Sequence, residues 1–276
     1  MKKPISYTII FFVIISFGSC SPDSVEEVEF SDLFQNVADN IIVPRYSNFD
    51  NSLSDLSLEL NNFNNSELSS LESLQQKFIE TYLTWQTVSA FEFGPAGEVN
   101  ALLRSNINNF PTNSSKIESN IQSNDYNLDA ASNYSAKGLP ALDYILFHTS
   151  QNELLSELAD PSRLNYMKEC VSDMKSRVDY VVDGWDSYRN TFVESQGNDQ
   201  NSSLSLFFNY FLYDYEQIKR NKFALPAGFA TEFGIPISMD TSKVEGLYSA
   251  KSLELITENL RALEDLYLGV GENGVD

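Results

Sequence analysis

The sequence is poor in the residues on which most metal and redox sites depend. Its 276 residues include one histidine and two cysteines, which excludes zinc-finger, histidine-rich and disulfide-framework proteins. Positive charge is also scarce, since 18 lysines and arginines stand against 39 aspartates and glutamates, a formal net charge of −21. Such a chain repels a phosphate backbone, so we expect no nucleic-acid partner. Any metal or catalytic chemistry must rely on carboxylates, hydroxyls or the single imidazole.

The amino-terminal segment has the features of an export signal. Two lysines precede an apolar stretch that is too short to cross a bilayer. The small residues Gly18 and Ser19 then lead to Cys20, which resembles the lipobox of bacterial lipoproteins, where the cysteine is acylated after cleavage. The alternative is an ordinary secretory signal that ends at a cysteine by chance. The lipobox predicts a signal peptide over residues 1–19 and a lipid anchor at Cys20.

A short acidic segment over residues 20–29 follows the predicted cleavage point. It has no apolar face, so we expect a tether between the lipid and the fold. The acidic run also resembles the surface-export signal of Bacteroidetes lipoproteins, which leaves open whether the protein is on the periplasmic or the outer face of the outer membrane. With Cys20 acylated, Cys170 has no partner for a disulfide within the chain. We therefore expect Cys170 to be buried and unreactive.

The spacing of apolar residues predicts an all-α fold. From Phe30 onward, apolar residues recur at helical intervals, and no segment sustains the period-two alternation of a strand. The first helix is expected to end before Pro44. Longer helices are predicted over residues 68–93, 161–196, 204–223 and 242–269. We expect two helical halves, residues 30–150 and 151–276, arranged as a two-part helical bundle.

Five segments, in the same order along the chain, resemble the imelysin-like family. They are NIIVPRY (40–46), TWQTVSAFEFGP (84–95), GLPALDYILF (138–147), NYFLYDYEQIKRNKFALPAG (209–228) and VEGLYSAKSLELITENLRALEDLYLG (244–269). The resemblance implies an all-α, two-part bundle in the bacterial envelope, often a lipoprotein, with a link to iron uptake. The family is also classed as metallopeptidases of the M75 type.

The family's defining motif, GxHxxE, is altered in this chain. In the motif, a histidine and a glutamate three residues apart share a helix face and can bind a metal. Here Gly138 matches the glycine, but Pro140 replaces the histidine and Asp143 replaces the glutamate. Proline has no side-chain donor or acceptor, so a metal site built on that histidine cannot form. His148 is roughly 140° around the helix from Asp143, and we do not expect it to substitute.

Glu92 and Asp143 are the acidic candidates for a site. Glu92 continues the apolar stripe of its helix, although it could simply lie beside the turn that ends that helix. Asp143 is in the motif position, but a carboxylate at a helix start is also favoured by the helix dipole. We expect the two to face each other across a cleft, with Arg104, Lys219 or Lys222 supplying a compensating charge.

Three further candidates come only from the family resemblance. They are Glu245, Ser249 and Ser252, in the motif that opens the last resembling segment. Each has a structural alternative: Glu245 could complete a capping box that begins at Ser242, and the two serines could be small residues at a helix contact.

Three functions remain open. We favour a non-catalytic binding lipoprotein whose acid-lined cleft holds iron or another hard cation, an iron-bearing ligand, or a basic segment of a partner, since oxygen ligands suit hard ions. The second is a metallopeptidase-like enzyme with Asp143 and Glu92 as ligands, which the missing motif histidine disfavours. The third is a structural subunit of an outer-membrane uptake complex.

Overall fold

The computed structural model describes residues 30–195, 197, 199–232 and 234–271, and nearly all regular structure in them is helical. The all-α prediction is therefore confirmed. The predicted signal peptide, the acylated Cys20 and the acidic tether lie outside the described residues. Among the described helices, none has the length and apolar character needed to cross a membrane.

The helices follow one another with short connections. The α-helices are α1 (Ser31–Asn36), α2 (Val43–Asn62), α3 (Leu68–Val88), α4 (Leu103–Ile107), α5 (Ser114–Ser123), α6 (Gly138–Phe147), α7 (Gln151–Glu157), α8 (Pro161–Glu194), α9 (Ser203–Glu216) and α10 (Ser252–Leu268). Val37–Ile42 and Gln217–Ala224 are π-helical, and Gly94–Gly97, Ala131–Ala136 and Thr241–Lys243 are 3₁₀-helical. Strands β1 (Thr231–Glu232) and β2 (Ile235–Pro236) form a small antiparallel hairpin in which Thr231 pairs with Pro236.

Pro44 does not end the first helix, so that prediction is wrong. Helix α1, the π-helical turn Val37–Ile42 and α2 run on without interruption, and Pro44 lies in the first turn of α2. A proline lacks the N–H of the helical ladder, and its ring presses on the carbonyl four residues earlier. The wider π turn directly before Pro44 relieves this conflict, because its hydrogen bonds follow a different spacing.

One hydrophobic core joins helices from both sides of residue 150. Helix α8 packs along α2, and α10 packs against α3. Aromatic rings fill this core, as where Phe93 stacks on Phe192 with ring centroids 5.6 Å apart. Cys170 is buried as predicted, and burial raises the pKa of its thiol. The division into halves at residue 150 stays a prediction.

Two predicted helices are shorter than their apolar patterns indicated. Helix α3 ends at Val88 rather than near residue 93, and α10 begins at Ser252 rather than at 242. Residues 244–251 instead form turns, with left-handed backbone at Gly246 (φ +62°) and Ala250 (φ +57°). A left-handed residue interrupts the helical ladder. Glu92 and Glu245 consequently lie on connecting segments, which is what brings them to the site.

Candidate functional site

A continuous set of buried or half-buried polar side chains runs through the middle of the fold, and we call it the buried polar network. Its five charged members come from five different elements or connections. Asp214, Lys222 and Glu245 are buried from solvent. Because an unpaired buried charge is very costly, these groups must compensate one another. The network consists of Gln86, Ser89, Glu92, Arg104, Asn108, Asp214, Lys222, Glu245 and Asn259.

At one end of the network, Arg104 of α4 bridges two acids. Its Nε donates to Glu92 at 3.1 Å, and its Nη2 donates to Asp214 of α9 at 2.7 Å. Its backbone N–H also donates to Glu92 at 3.2 Å. Burial opposes the charge of Arg104, but the attraction of Asp214 and Glu92 outweighs it and raises the pKa of the guanidinium. Of the three cations considered from the sequence, Arg104 is the one that compensates Glu92.

At the other end, Lys222 is surrounded by three oxygen atoms. Its ammonium donates to Gln86 Oε1 at 2.5 Å and to Asn259 Oδ1 at 2.7 Å, and it lies 2.9 Å from Glu245 Oε2. The second oxygen of Glu245 accepts from Gln86 at 2.9 Å and from Asn108 at 2.7 Å. Both carboxylate oxygens of Glu245 are therefore engaged by the protein itself.

The capping-box alternative for Glu245 is wrong. The short helix Thr241–Lys243 is capped by Asp240, whose carboxylate accepts from the backbone N–H of Ser242 at 3.1 Å. Glu245 lies beyond the end of that helix and points into the network. The physical reason is that the buried ammonium of Lys222 attracts the carboxylate of Glu245 and holds this side chain in the interior.

Asn259 of α10 joins the two ends. Its amide nitrogen donates to Asp214 at 2.8 Å and to Ser89 Oγ at 3.0 Å, while its oxygen accepts from Lys222. The network thus links elements before and after residue 150. Each charge in it has a partner of opposite sign within hydrogen-bonding distance.

Asp143 of α6 holds a turn rather than facing Glu92. One carboxylate oxygen accepts from the backbone N–H of Tyr248 at 2.8 Å and the other from that of Ser249 at 3.1 Å. Burial raises the pKa of Asp143, the hydrogen bonds from Ser249 and Tyr248 partly offset this, and the nearby Glu245 raises it further. Among the described residues, no hydrogen-bond partner of Asp143 is also one of Glu92. The turn that Asp143 holds is the one that carries Glu245.

The other motif positions have structural roles. Gly138 has φ +72°, and a Cβ there would lie 2.3 Å from the carbonyl oxygen of Ile107, so only glycine fits. Pro140 is buried in the first turn of α6 and lines a cavity of about 240 Å³ together with Asp143. Ser249 contributes its backbone N–H to Asp143, and Ser252 begins α10.

His148 lies outside the buried polar network. Its Nδ1 is 3.0 Å from the carbonyl oxygen of Tyr144, and its Nε2 is 3.2 Å from Glu157. These local contacts agree with the expectation that His148 does not replace the motif histidine.

A larger cavity of about 370 Å³ opens beside the network. Its polar wall consists of cationic and uncharged side chains, and no acidic side chain of the described residues lines it. The two acids expected at a cleft border other cavities instead, Glu92 one of about 400 Å³ and Asp143 the one of about 240 Å³. The polar lining residues are Arg104, Ser105, Asn108, Asn109, Gln217, Asn221, Lys222 and Lys243.

The residues at the family's metal position do not fit a metal centre. Pro140 has no ligand atom, Asp143 accepts two backbone hydrogen bonds, and Glu245 is paired with Lys222. Among the residues that the structure describes, no group of three or more histidine, cysteine, aspartate and glutamate side chains could hold an ion. We therefore derive no metal chemistry at this position.

Several network residues were not predicted, although the sequence carried a signal for some of them. Asn259 lies on the apolar stripe of α10, four residues from both Leu255 and Leu263. Asp214 is an acid within the aromatic-rich α9. A polar residue inside an apolar pattern indicates a buried polar contact. The identity of its partner depends on the tertiary fold.

Comparison with known proteins gives the same assignment as the motifs. A crystal structure from Parabacteroides distasonis, named as an iron-regulated protein A precursor, superposes with a TM-score of 0.72 at 16% identity, covering 93% of this chain and 78% of that one. An imelysin-like protein from Psychrobacter arcticum gives a TM-score of 0.68 at 16% identity, covering 88% and 77%. These two likenesses show the fold. No curated protein matches the chain significantly. The sequence profile of the imelysin family, peptidase M75, matches residues 42–276, and the chain belongs to that family.

Proposed function

We propose that the protein is a lipid-anchored protein of the cell envelope that binds a polar, oxygen-rich ligand, such as an organic iron chelate, without catalysing a reaction. The observation that carries this proposal is the lining of the 370 Å³ cavity. Amide and cationic side chains donate hydrogen bonds to ligand oxygens. They do not offer a bare hard cation the carboxylates that it prefers.

Lys243 and Arg104 are the cations best able to contact such a ligand. Lys243 is exposed, and its ammonium is 3.8 Å from Asp240, too far for a direct hydrogen bond. Among the described residues, Arg104 donates to its protein partners through its backbone N–H, Nε and Nη2. Its Nη1 is therefore left for a ligand. The acids behind Arg104 and Lys222 weaken the attraction for an anion. A ligand that combines carboxylates with hydroxyls is therefore favoured over a purely ionic one.

The link to iron and to the envelope has separate support. Imelysin-like proteins are linked to iron uptake, and the Parabacteroides protein is named as iron-regulated. The lipobox that ends at Cys20 supports anchoring in the outer membrane.

Calorimetric titration of the mature chain tests the ligand class. Citrate and ferric citrate are the probes, and we expect ferric citrate to bind at one site. Lys243→Gln should weaken binding at least about tenfold, because it removes a charge-assisted hydrogen bond. The matched control is Lys251→Gln, which removes a positive charge outside the cavity and should leave binding unchanged. Absence of binding by both probes would contradict the proposal. Stoichiometric iron that is retained without citrate and survives Lys243→Gln would instead indicate a bare-ion site.

The metallopeptidase alternative can be tested by restoring the motif. Pro140→His recreates the histidine next to Asp143, yet we expect no zinc binding by calorimetry and no cleavage of unfolded casein, because the carboxylate of Asp143 is already held by two backbone N–H groups. Tight zinc binding by this variant would revive the enzymatic alternative. A purely structural role in an uptake complex is the outcome if no small ligand binds.

The anchor is tested separately by Cys20→Ala and cell fractionation. We expect the variant to leave the membrane fraction. Retention at the wild-type level would mean that Cys20 is not the lipid attachment site.

A further inference from the structure

Helix α9 packs partly buried apolar side chains against the core, yet it exposes other large apolar side chains to solvent. Its buried residues are Ser203 and Asp214, whereas Phe208 is 52% exposed, Leu212 56% and Tyr215 46%. A helix on the surface of a soluble protein normally has polar residues on its outer side. Asp214 is drawn inward by Arg104 of the buried polar network. Phe208, Leu212 and Tyr215 face outward.

The exposed residues form a continuous surface, which we call the α9 stripe. Phe208, Leu212 and Tyr215 follow one another at helical spacing and share one side of the helix. Phe223 and Phe229, also exposed, lie in the segment that directly follows the helix, with their ring centroids 6.2 Å apart. Contiguous exposed apolar patches of this kind mark interaction sites. The α9 stripe consists of Phe208, Leu212, Tyr215, Phe223 and Phe229.

The charge of this segment differs from that of the whole chain. Residues 203–229 contain three cations and two acids, a net charge of +1, whereas the chain as a whole carries −21. Inside the fold, Asp214 is paired with Arg104 and Lys222 is paired with Glu245. The remaining charges are those of Glu216, Lys219 and Arg220, again +1 in total. The stripe is thus an aromatic, weakly basic region on a strongly acidic protein, which suits an apolar partner with negative charge.

The stripe begins close to the point where the chain enters the fold. Phe30 packs on Phe34, and Phe34 packs on Phe192 with ring centroids 5.4 Å apart. Ser203, the first residue of α9, donates a hydrogen bond to the carbonyl of Phe192. Ten residues, 20–29, precede Phe30, and ten residues span at most about 36 Å. A lipid on Cys20 would therefore hold α9 near the membrane.

We propose that the α9 stripe lies on the surface of the membrane to which Cys20 is anchored. Phe208 and Leu212 would enter the boundary between headgroups and acyl chains, while Lys219 and Arg220 contact anionic lipid phosphates. The acidic remainder of the protein is repelled from the same surface. This inference rests on the lipid anchor of the proposed function and goes beyond it by giving the protein an orientation.

The orientation leaves the ligand cavity accessible. Gln217 lines the 370 Å³ cavity and follows Tyr215 by two residues, roughly 200° around the helix. The cavity therefore opens on the side of α9 away from the stripe. With the stripe on the bilayer, this opening faces the aqueous phase.

Vesicle sedimentation of the unlipidated mature chain, carrying Cys20→Ser, tests the proposal. We expect binding to vesicles of phosphatidylethanolamine and phosphatidylglycerol, weak by itself because the lipid anchor normally supplies a high effective concentration. Phe208→Ser with Leu212→Ser should weaken binding at least about tenfold, since two large apolar groups no longer insert. The matched control is Leu58→Ser with Leu253→Ser, two exposed leucines outside the stripe, and it should bind as the parent does. Circular dichroism checks that both variants stay folded.

The basic residues give a second, independent readout. Lys219→Gln with Arg220→Gln should weaken binding to the anionic vesicles and leave binding to pure phosphatidylcholine vesicles unchanged. Equal binding by the stripe and control variants would overturn the proposal. The proposal would also be overturned if light scattering showed a dimer of the parent protein and Phe208→Ser with Leu212→Ser dissociated it. The stripe would then be a contact between two copies. Because the vesicle assay needs no acylation, its failure is distinguishable from failure of the anchor, which the fractionation of Cys20→Ala reports.

Discussion

Removal of Lys222 would leave the buried polar network with an uncompensated negative charge. Its ammonium faces Glu245, Gln86 and Asn259, and both members of the Lys222–Glu245 ion pair are buried. We expect Lys222→Met to lower the free energy of unfolding by about 3–5 kcal/mol, because it leaves a buried carboxylate without its cation. Urea denaturation at neutral pH measures this loss.

Two variants serve as controls for the Lys222 prediction. Lys219→Met removes an exposed lysine that pairs with the exposed Glu216, and it should leave the free energy of unfolding nearly unchanged, because solvent screens such a pair. The double variant Lys222→Met with Glu245→Gln removes both charges and should recover part of the loss. A Lys222→Met variant as stable as Lys219→Met would show that the buried pair does not stabilise the fold.

Asp143 should make stability depend on pH in the acid range. Burial is the main cause that raises its pKa above the ordinary value of 3.8. The folded chain then binds this proton more readily than the unfolded chain, so the contribution of Asp143 is full below pH 3.8 and is lost as the pH rises through the folded pKa. We expect the stability of the wild type relative to Asp143→Asn to fall across this window and to level off above it.

Urea denaturation of both proteins at several acidic pH values measures the Asp143 effect. The comparison with Asp143→Asn cancels the contributions of other acids, because asparagine does not titrate. A stability difference that rises with pH would mean that the backbone hydrogen bonds lower the pKa of Asp143 more than burial raises it.

At the scale of elements, the turn over residues 244–251 decides where Glu245 and α10 lie. Gly246 and Ala250 both have left-handed backbone, and a Cβ on Gly246 would lie 2.7 Å from Leu255 Cδ1. Gly246→Ala should therefore destabilise the protein by about 1–3 kcal/mol. Ala250→Gly should stabilise it by up to about 1 kcal/mol, since it relieves the strain of a non-glycine residue at little cost in packing.

Thermal denaturation of the two variants measures these opposite effects. The pair forms its own control, because each variant exchanges glycine and alanine within the same turn. Equal effects of the two substitutions would mean that the backbone of this turn is not strained as described.

Element boundaries show where sequence reasoning succeeded and failed. The start of α8 and the end of α10 could be predicted, since Pro161 begins α8 and Gly269 caps the end of α10. The start of α10 and the end of α3 could not, because the residues beyond them continue the apolar spacing of the helix. Before α10, the tertiary contacts of Glu245 with Lys222 and of Asp143 with the turn hold the chain out of the helical conformation.

At the scale of the whole molecule, the net charge of −21 opposes the compact state. Raising the salt concentration screens this repulsion, and the buried pairs of the network are screened much less. We expect the melting temperature to rise by roughly a few degrees between 10 and 300 mM NaCl. Differential scanning calorimetry measures the change, and KCl should act as NaCl does. A fall in melting temperature would mean that surface ion pairs outweigh the overall repulsion.

The sequence by itself determined the helical class, the family, the acidic surface and the loss of the motif histidine. These properties depend on composition, on the spacing of apolar residues and on identity at single positions, all of which are local. The tertiary structure alone decided which polar groups meet, because the partners are far apart in sequence. Asp214 lies 110 positions from Arg104, Tyr248 lies 105 positions from Asp143, and Gln86 lies 136 positions from Lys222. It also decided that Asp214 and Glu245 are buried and that Phe208 and Leu212 of α9 are exposed. A buried charge is stable only next to its opposite, and that requirement acts through space rather than along the chain.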